Sequence, residues 1–150
     1  MSLRIGAKRI FFTLIILLHT SCQECSYIEN DLHGFWQVIS IEELPSGELM
    51  HAQGDLYYSF QRNIVIVGRK AENKPLGVMM GEQYISDFTL TDDSINISDF
   101  RIYMDYQEKA PLNQLKKFGI HDENTTFHIT QNKQSLIFTS DKARVTLRKY

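Results

Sequence analysis

Cysteine is nearly missing from this 150-residue chain: it has two, Cys22 and Cys25, both close to the start. A folded body built from the rest has no disulfide to draw on and must rely on its core. Long apolar runs are missing too. The most apolar stretch, residues 10–18, is broken by Thr13 and falls short of the roughly 20 residues a spanning helix needs. Basic charge is scarce where it would matter for nucleic acid. Three of the 16 Lys and Arg (Arg4, Lys8, Arg9) and none of the 18 acidic residues precede position 22, so the remainder carries a net charge of −5. Beyond Lys116-Lys117 it has no basic cluster with which to bind phosphates, which argues against a nucleic-acid partner. His33, His51, His121 and His128 lack metal-ligand spacing, and Asp87, Asp92, Asp93 and Asp99 lack the order and closing glutamate of a calcium loop. No nucleophile elbow or similar arrangement accompanies the serines and histidines. The expectation is a protein that is not an enzyme and needs no cofactor.

What is present begins with a leader. Arg4, Lys8 and Arg9 precede the apolar run, and small and polar residues then lead to Cys22, the pattern of a secretory signal over residues 1–21. The segment Leu17-Leu18-His19-Thr20-Ser21-Cys22 resembles a bacterial lipobox, with His19 where an aliphatic residue is usual. That resemblance implies cleavage before Cys22 and acyl chains, palmitate among them, on Cys22 as the mature N-terminus. Two or three such chains hold a protein stably on a bilayer, each buried methylene contributing about 0.8 kcal/mol. Cys22 and Cys25 also form a C-x-x-C. A redox reading of that motif needs a strand before it, where this chain has the leader. Residues 22–31 are polar and read as a flexible tether, and residues 32–150 as the single folded domain.

The domain is a procession of strand-like runs: 35–44, 56–60, 63–69, 82–91, 94–100, 125–131, 135–140 and 143–149. They are rich in Ile, Val, Phe, Tyr and Thr, and many alternate with period two. Tyr84, Ser86, Phe88 and Leu90 share one face; Phe127 with Ile129, and Leu136 with Phe138, repeat the pattern. Eight strands in series predict an all-β, up-and-down antiparallel barrel, a closure that removes both sheet edges. One short helix is expected between the fifth and sixth strands. Pro111 suits its first position, Leu112, Leu115 and Phe118 recur at three-residue spacing, and Gly119 suits its C-cap.

Connection lengths alternate. The second-to-third, fourth-to-fifth and sixth-to-seventh links are tight; the first-to-second, third-to-fourth and fifth-to-sixth are long. In a meander, alternate links lie at opposite ends, so the long loops and the helix gather at a mouth. Both ends of the domain then fall at the plain base, beside the tether. Leu112 and Leu115 are expected to lie over the mouth as a lid.

Gly34-Phe35-Trp36, opening the first of eight antiparallel strands, resembles the Gly-x-Trp of lipocalins. Placed after a lipobox, it makes the chain similar to the small lipocalin-like lipoproteins of Gram-negative bacteria. The resemblance implies an outer-membrane lipoprotein of the cell envelope and a calyx for a small apolar molecule. It also implies an arginine near the chain end across the base from Trp36, with Arg148 the candidate and Arg144 second. Tyr58, Phe60, Tyr84, Phe88, Phe127, Ile129 and Phe138 are the candidate lining. Two readings stand. In one the barrel carries a small hydrophobic ligand; in the other those side chains fill it, and the outside engages another envelope protein. A cavity decides between them. Asp93-Ser94-Ile95 resembles a short O-glycosylation acceptor and is equally ordinary turn chemistry.

Overall fold

The computed structural model describes residues 31–71, 81–132 and 134–150. Cys22 and the leader lie outside the described residues. Among the described residues ten strands form: β1 (Gly34–Glu43), β2 (Leu49–His51), β3 (Leu56–Gln61), β4 (Ile64–Arg69), β5 (Gln83–Leu90), β6 (Ser94–Ile102), β7 (Asp105–Lys109), β8 (Asn124–Gln131), β9 (Ser135–Thr139) and β10 (Ala143–Lys149). Between β7 and β8 lie one helical turn, α1 (Leu112–Leu115), and the 3-10 turn Lys116–Phe118.

Eight of these strands follow one another around the sheet, each antiparallel to the next, in the order β1, β3, β4, β5, β6, β8, β9, β10. The last returns to the first: β10 pairs with β1 from Trp36↔Lys149 to Glu43↔Ala143. This is the closed up-and-down barrel expected, with its helix between the fifth and sixth barrel strands. Alternation accounts for it. Trp36 and Val38 of β1, Tyr58 and Phe60 of β3, Val65 and Val67 of β4, and Val145 and Leu147 of β10 all turn inward and are buried.

The other two strands, β2 and β7, are exposed along their length. Neither buries a face, so neither leaves a period-two signal in the sequence. Each is the return arm of a strand that changes partner at a bulge. The lower part of β1 pairs with β3 and the upper part with β2, and the register against β10 slips between Val38 and Ser40. Likewise β6 pairs with β8 from Ser94 to Ser98 and then, beyond Asp99, with β7. Asp99 sits at φ 61°, a conformation aspartate tolerates better than most residues.

The tight turns share one end, as the parity of the links requires. Asn132 Oδ1 accepts from the backbone N–H of Gln134 (3.0 Å) and Ser135 (2.8 Å), and Arg62 (φ 56°) turns β3 into β4. At the opposite end lie the connections 44–55 and 103–123, and there β4 ends and β5 begins. Gly68 of β4 is required by its neighbour. A Cβ there would lie 2.6 Å from the hydroxyl of Tyr57, whose ring crosses the outer face toward Gln83.

Candidate functional site

The barrel interior is lined by the aromatic set singled out in the sequence. Tyr58, Phe60, Tyr84, Phe88, Phe127 and Phe138 all point inward, and none is more than 7% exposed. Ile129, near the base, is only half-buried and packs on the edge of that core. The rings touch one another across the lumen. Phe138 meets Tyr58 (5.8 Å between centroids), Phe60 (5.9 Å) and Phe127 (5.4 Å), and Phe60 meets Phe88 edge-on at 5.6 Å. Such pairs contribute about 0.5–1.5 kcal/mol each beyond their buried area. Trp36, Val38, Tyr58, Val65, Val67, Ile95, Phe127, Phe138, Val145 and Leu147 have 0% accessible surface. No water-sized void borders any of them, so this part of the lumen is side chain throughout.

Both ends of the lumen are stopped. At the base Leu32 is fully buried, and its carbonyl accepts a hydrogen bond from Trp36 Nε1 at 2.7 Å. Gly34, at φ 115°, turns the chain from this segment into β1. The cation beside Trp36 is Lys149, whose Nζ lies 5.3 Å from the ring centroid. Arg148, expected there, points outward instead and donates to Gln37 Oε1 at 2.7 Å. The reason is alternation. Val145 and Leu147 take the inward positions, so Arg148 faces solvent and Lys149, at the strand's end, reaches the base.

At the mouth the segment following α1 enters the barrel. Leu112 is half-buried and Leu115 buried, but the deeper stoppers are Phe118 and Ile120, both at 0% exposure. Phe118 stands edge-on to Tyr84, 6.3 Å between centroids. Gly119, at φ 79°, lies so close to β10 that an added Cβ would come within 2.3 Å of Val145 Cγ2. The sequence placed Leu112, Leu115 and Phe118 on one helical face. It gave no sign that the chain dips inward after Gly119 and takes Ile120 with it.

Side chains hold this plug. The hydroxyl of Tyr58, deep in the core, donates to the carbonyl of Phe118 at 2.5 Å, and burial pushes that phenol well above its ordinary pKa. Glu82 binds Lys117 and the Tyr84 hydroxyl. Burial favours the protonated acid, but the hydrogen bonds from Lys117 and Tyr84 outweigh it and hold Glu82 below its usual value. Burial, and then the bond to Glu82, raise the pKa of Tyr84. Further along, Lys142 Nζ contacts both oxygens of Asp122, at 2.6 and 2.7 Å. His121 Nε2 lies 3.2 Å from Glu43 Oε1, near enough for an ion pair but not aligned for a hydrogen bond.

Beside the plug, an open cleft of about 360 Å³ lies between Glu43 and Glu48 on one wall and Lys116 and Lys117 on the other. Among the described residues no three His, Cys, Asp or Glu side chains converge as metal ligands would.

A closed eight-stranded antiparallel meander with a sealed base and a helix-bearing mouth defines the calyx class of barrels. Within that class, a family model described as a lipocalin-like domain matches residues 15–150, and the chain belongs to that family. Two solved structures share the fold. A lipocalin-like protein from Bacteroides uniformis is 18% identical with a TM-score of 0.56, over 80% of this chain and 99% of that one. An uncharacterized protein from Bacteroides eggerthii is 16% identical with a TM-score of 0.59, over 79% of this chain and 99% of the other. No curated protein matches the chain.

Proposed function

We propose that the chain is a lipid-anchored protein of a Gram-negative cell envelope, held at the outer membrane through Cys22. Its barrel is a non-catalytic interaction module that engages another envelope protein. The observation that carries this reading is the close packing of the described lumen around Tyr58, Phe127 and Phe138, between Leu32 and Trp36 below and Phe118 and Ile120 above. A lipocalin-like fold is able to hold a ligand; here the lining side chains occupy that space, and the surface is what remains to act. The anchor rests on Ser21-Cys22 after the apolar run. Because β1 starts and β10 ends at the base, a tether at residues 22–31 sets that end toward the membrane and the mouth away from it.

The test is titration of the full chain with an environment-sensitive fluorescent fatty acid. No saturable uptake is expected. Saturable uptake that Phe88→Glu abolishes would overturn the reading and restore the carrier. The anchor has its own test: Cys22→Ala should remove the protein from the outer-membrane fraction. A mature N-terminus elsewhere, without acyl mass, sinks that part. One observation favours the carrier as a second reading. Hydrogen bonds and ion pairs from side chains hold the plug in place, so it can leave without a strand being broken.

A further inference from the structure

The two faces of the barrel wall differ in polarity. Outward positions on β8 and β10 are polar: Thr126, His128 and Thr130, then Arg144, Thr146 and Arg148. On β4 the outward residues are Ile64 and Ile66, and next to them on β5 is Ile85; all three are half-buried. Against this apolar wall lies an open cleft of about 350 Å³, floored by Ile64 and Ile85 and bounded by Asp87, Ser98 and Arg101. Its remaining side is the ring of Tyr106, which is 55% exposed.

Two backbone irregularities aim groups at this cleft. Between the pairs Ile102↔Asp105 and Arg101↔Lys109, residues 106–108 of β7 have no partner on β6, and Tyr106 is thrown out of the ladder over the wall. The second is the bulge at left-handed Asp99, which turns its carboxylate to Arg101 Nη2 (2.6 Å) and Lys109 Nζ (3.3 Å). Arg101 Nη1 in turn donates to the carbonyl of Tyr106 at 3.1 Å, tying one irregularity to the other. Bulges re-aim side chains in this way beside binding sites.

The chemistry of the cleft selects among ligands. Its lining carries Asp87 and Asp99 against Arg101, and Asp99 is already paired with Arg101 and with Lys109 outside the cleft, so an anion gains nothing there and Asp87 is left to accept from a ligand. Hydrogen-bonding capacity remains. Asp87 is exposed and, among the described residues, accepts one long bond, 3.3 Å from Asn63 Nδ2; Arg101 keeps donors beyond those it uses, and Ser98 is exposed. The floor and the Tyr106 ring are apolar. A neutral molecule with hydroxyls on its edge and C–H groups on its face meets all three conditions, because C–H groups are attracted to the negative face of an aromatic ring. The volume lies at the lower end of the range for small-molecule sites. We propose that this wall cleft is a carbohydrate-binding site, with Tyr106 as the stacking platform and Asp87 and Arg101 as the hydroxyl-binding pair. The inference rests on the proposed function in one respect: the outside of the barrel does the binding.

The experiment is saturation-transfer NMR on the full chain in phospholipid nanodiscs, with methyl β-D-glucopyranoside and methyl α-D-mannopyranoside as separate probes. Transfer to ring C–H protons of at least one glycoside is expected, with millimolar dissociation, as suits an open cleft with few contacts. Tyr106→Ala should weaken it about tenfold, the scale of one well-placed contact. Asp87→Asn should weaken it several-fold, and Glu48→Gln in the mouth cleft should leave it unchanged, all at unaltered melting temperature. Absence of transfer to both glycosides overturns the site, and so does transfer indifferent to Tyr106→Ala. Neither result touches the packed-lumen reading, which fails instead on saturable fatty-acid uptake.

Discussion

At the base, Trp36 is closed over by chain that is already part of the sheet or next to it: Leu32 four residues before it, and Lys149 opposite it on β10. At the mouth, the closing residues Leu115, Phe118 and Ile120 sit in the middle of the connection 103–123, and few backbone hydrogen bonds tie them to any strand. Tyr58, Glu82 and Lys142 hold that connection from three different strands or their ends. Trp36 itself, within the paired part of β1, can leave the base only by unzipping β1 from β10, which is global unfolding. The mouth can open by losing a few side-chain links, a local event of lower free energy. The same fold has a structural end and an end able to move.

The largest expected effect lies at the structural end. Trp36→Ala should cost about 3–5 kcal/mol, as removal of a large buried aromatic does. Phe118→Ala should cost about 3 kcal/mol, the low end of that range, because the plug can settle into part of the space left. Denaturant titration measures both. A larger loss at Phe118 than at Trp36, or a loss at Trp36 under about 1 kcal/mol, typical of surface substitutions, would erase the distinction between the ends.

A smaller effect separates the ends by pH. Glu82 is held below its ordinary value of 4.5, so the stability it lends the mouth is fully present above that pH. It is lost as pH falls through the lowered value in the folded protein. Stability should therefore fall in acid below pH 4.5, and Glu82→Gln should flatten that limb of the profile while leaving the neutral region lower. Hydrogen exchange around Phe118 and Ile120 should quicken first along this limb, because losing the Glu82 links opens the plug locally. An acid limb unchanged by Glu82→Gln would show that the Lys117–Glu82–Tyr84 cluster does not hold the plug.

How much of this could be read beforehand follows the same division. The barrel strands were legible because each buries one face; β3 and β5 announce Tyr58, Phe60, Tyr84 and Phe88 by spacing alone. The parity of long and short links placed the helix at the mouth without any packing information. The plug was half legible: Leu112, Leu115 and Phe118 recur at three-residue spacing and Gly119 takes the left-handed C-cap expected of it, but that Ile120 then runs inward against β10 is a tertiary fact. The arms β2 and β7 were invisible because nothing in them is buried. The cleft under Tyr106 was hidden for a related reason: it depends on residues that leave the ladder, and a periodicity argument treats those as noise.

The smallest effect bears on the base, where alternation corrected an expectation drawn from resemblance. Arg148 and Lys149 are neighbours with the same charge, and only their position in the pleat differs. Lys149, itself exposed, lies over the buried Trp36 ring, where a solvent-facing cation contributes about 0.5–1 kcal/mol. Its stem also covers apolar surface that would otherwise meet water. Arg148 bonds Gln37 on the outer face, an exposed contact of the kind that contributes little. Lys149→Ala should therefore lower stability by about 0.5–1 kcal/mol, and Arg148→Ala by less than about 0.5 kcal/mol. Trp36 fluorescence should also shift to the red in Lys149→Ala alone, since only that change admits water to the indole. If Arg148→Ala were the costlier substitution, or the one that moved the emission, then Arg148 would be the cation over Trp36 in solution and the outward alternation of β10 would end before its last turn.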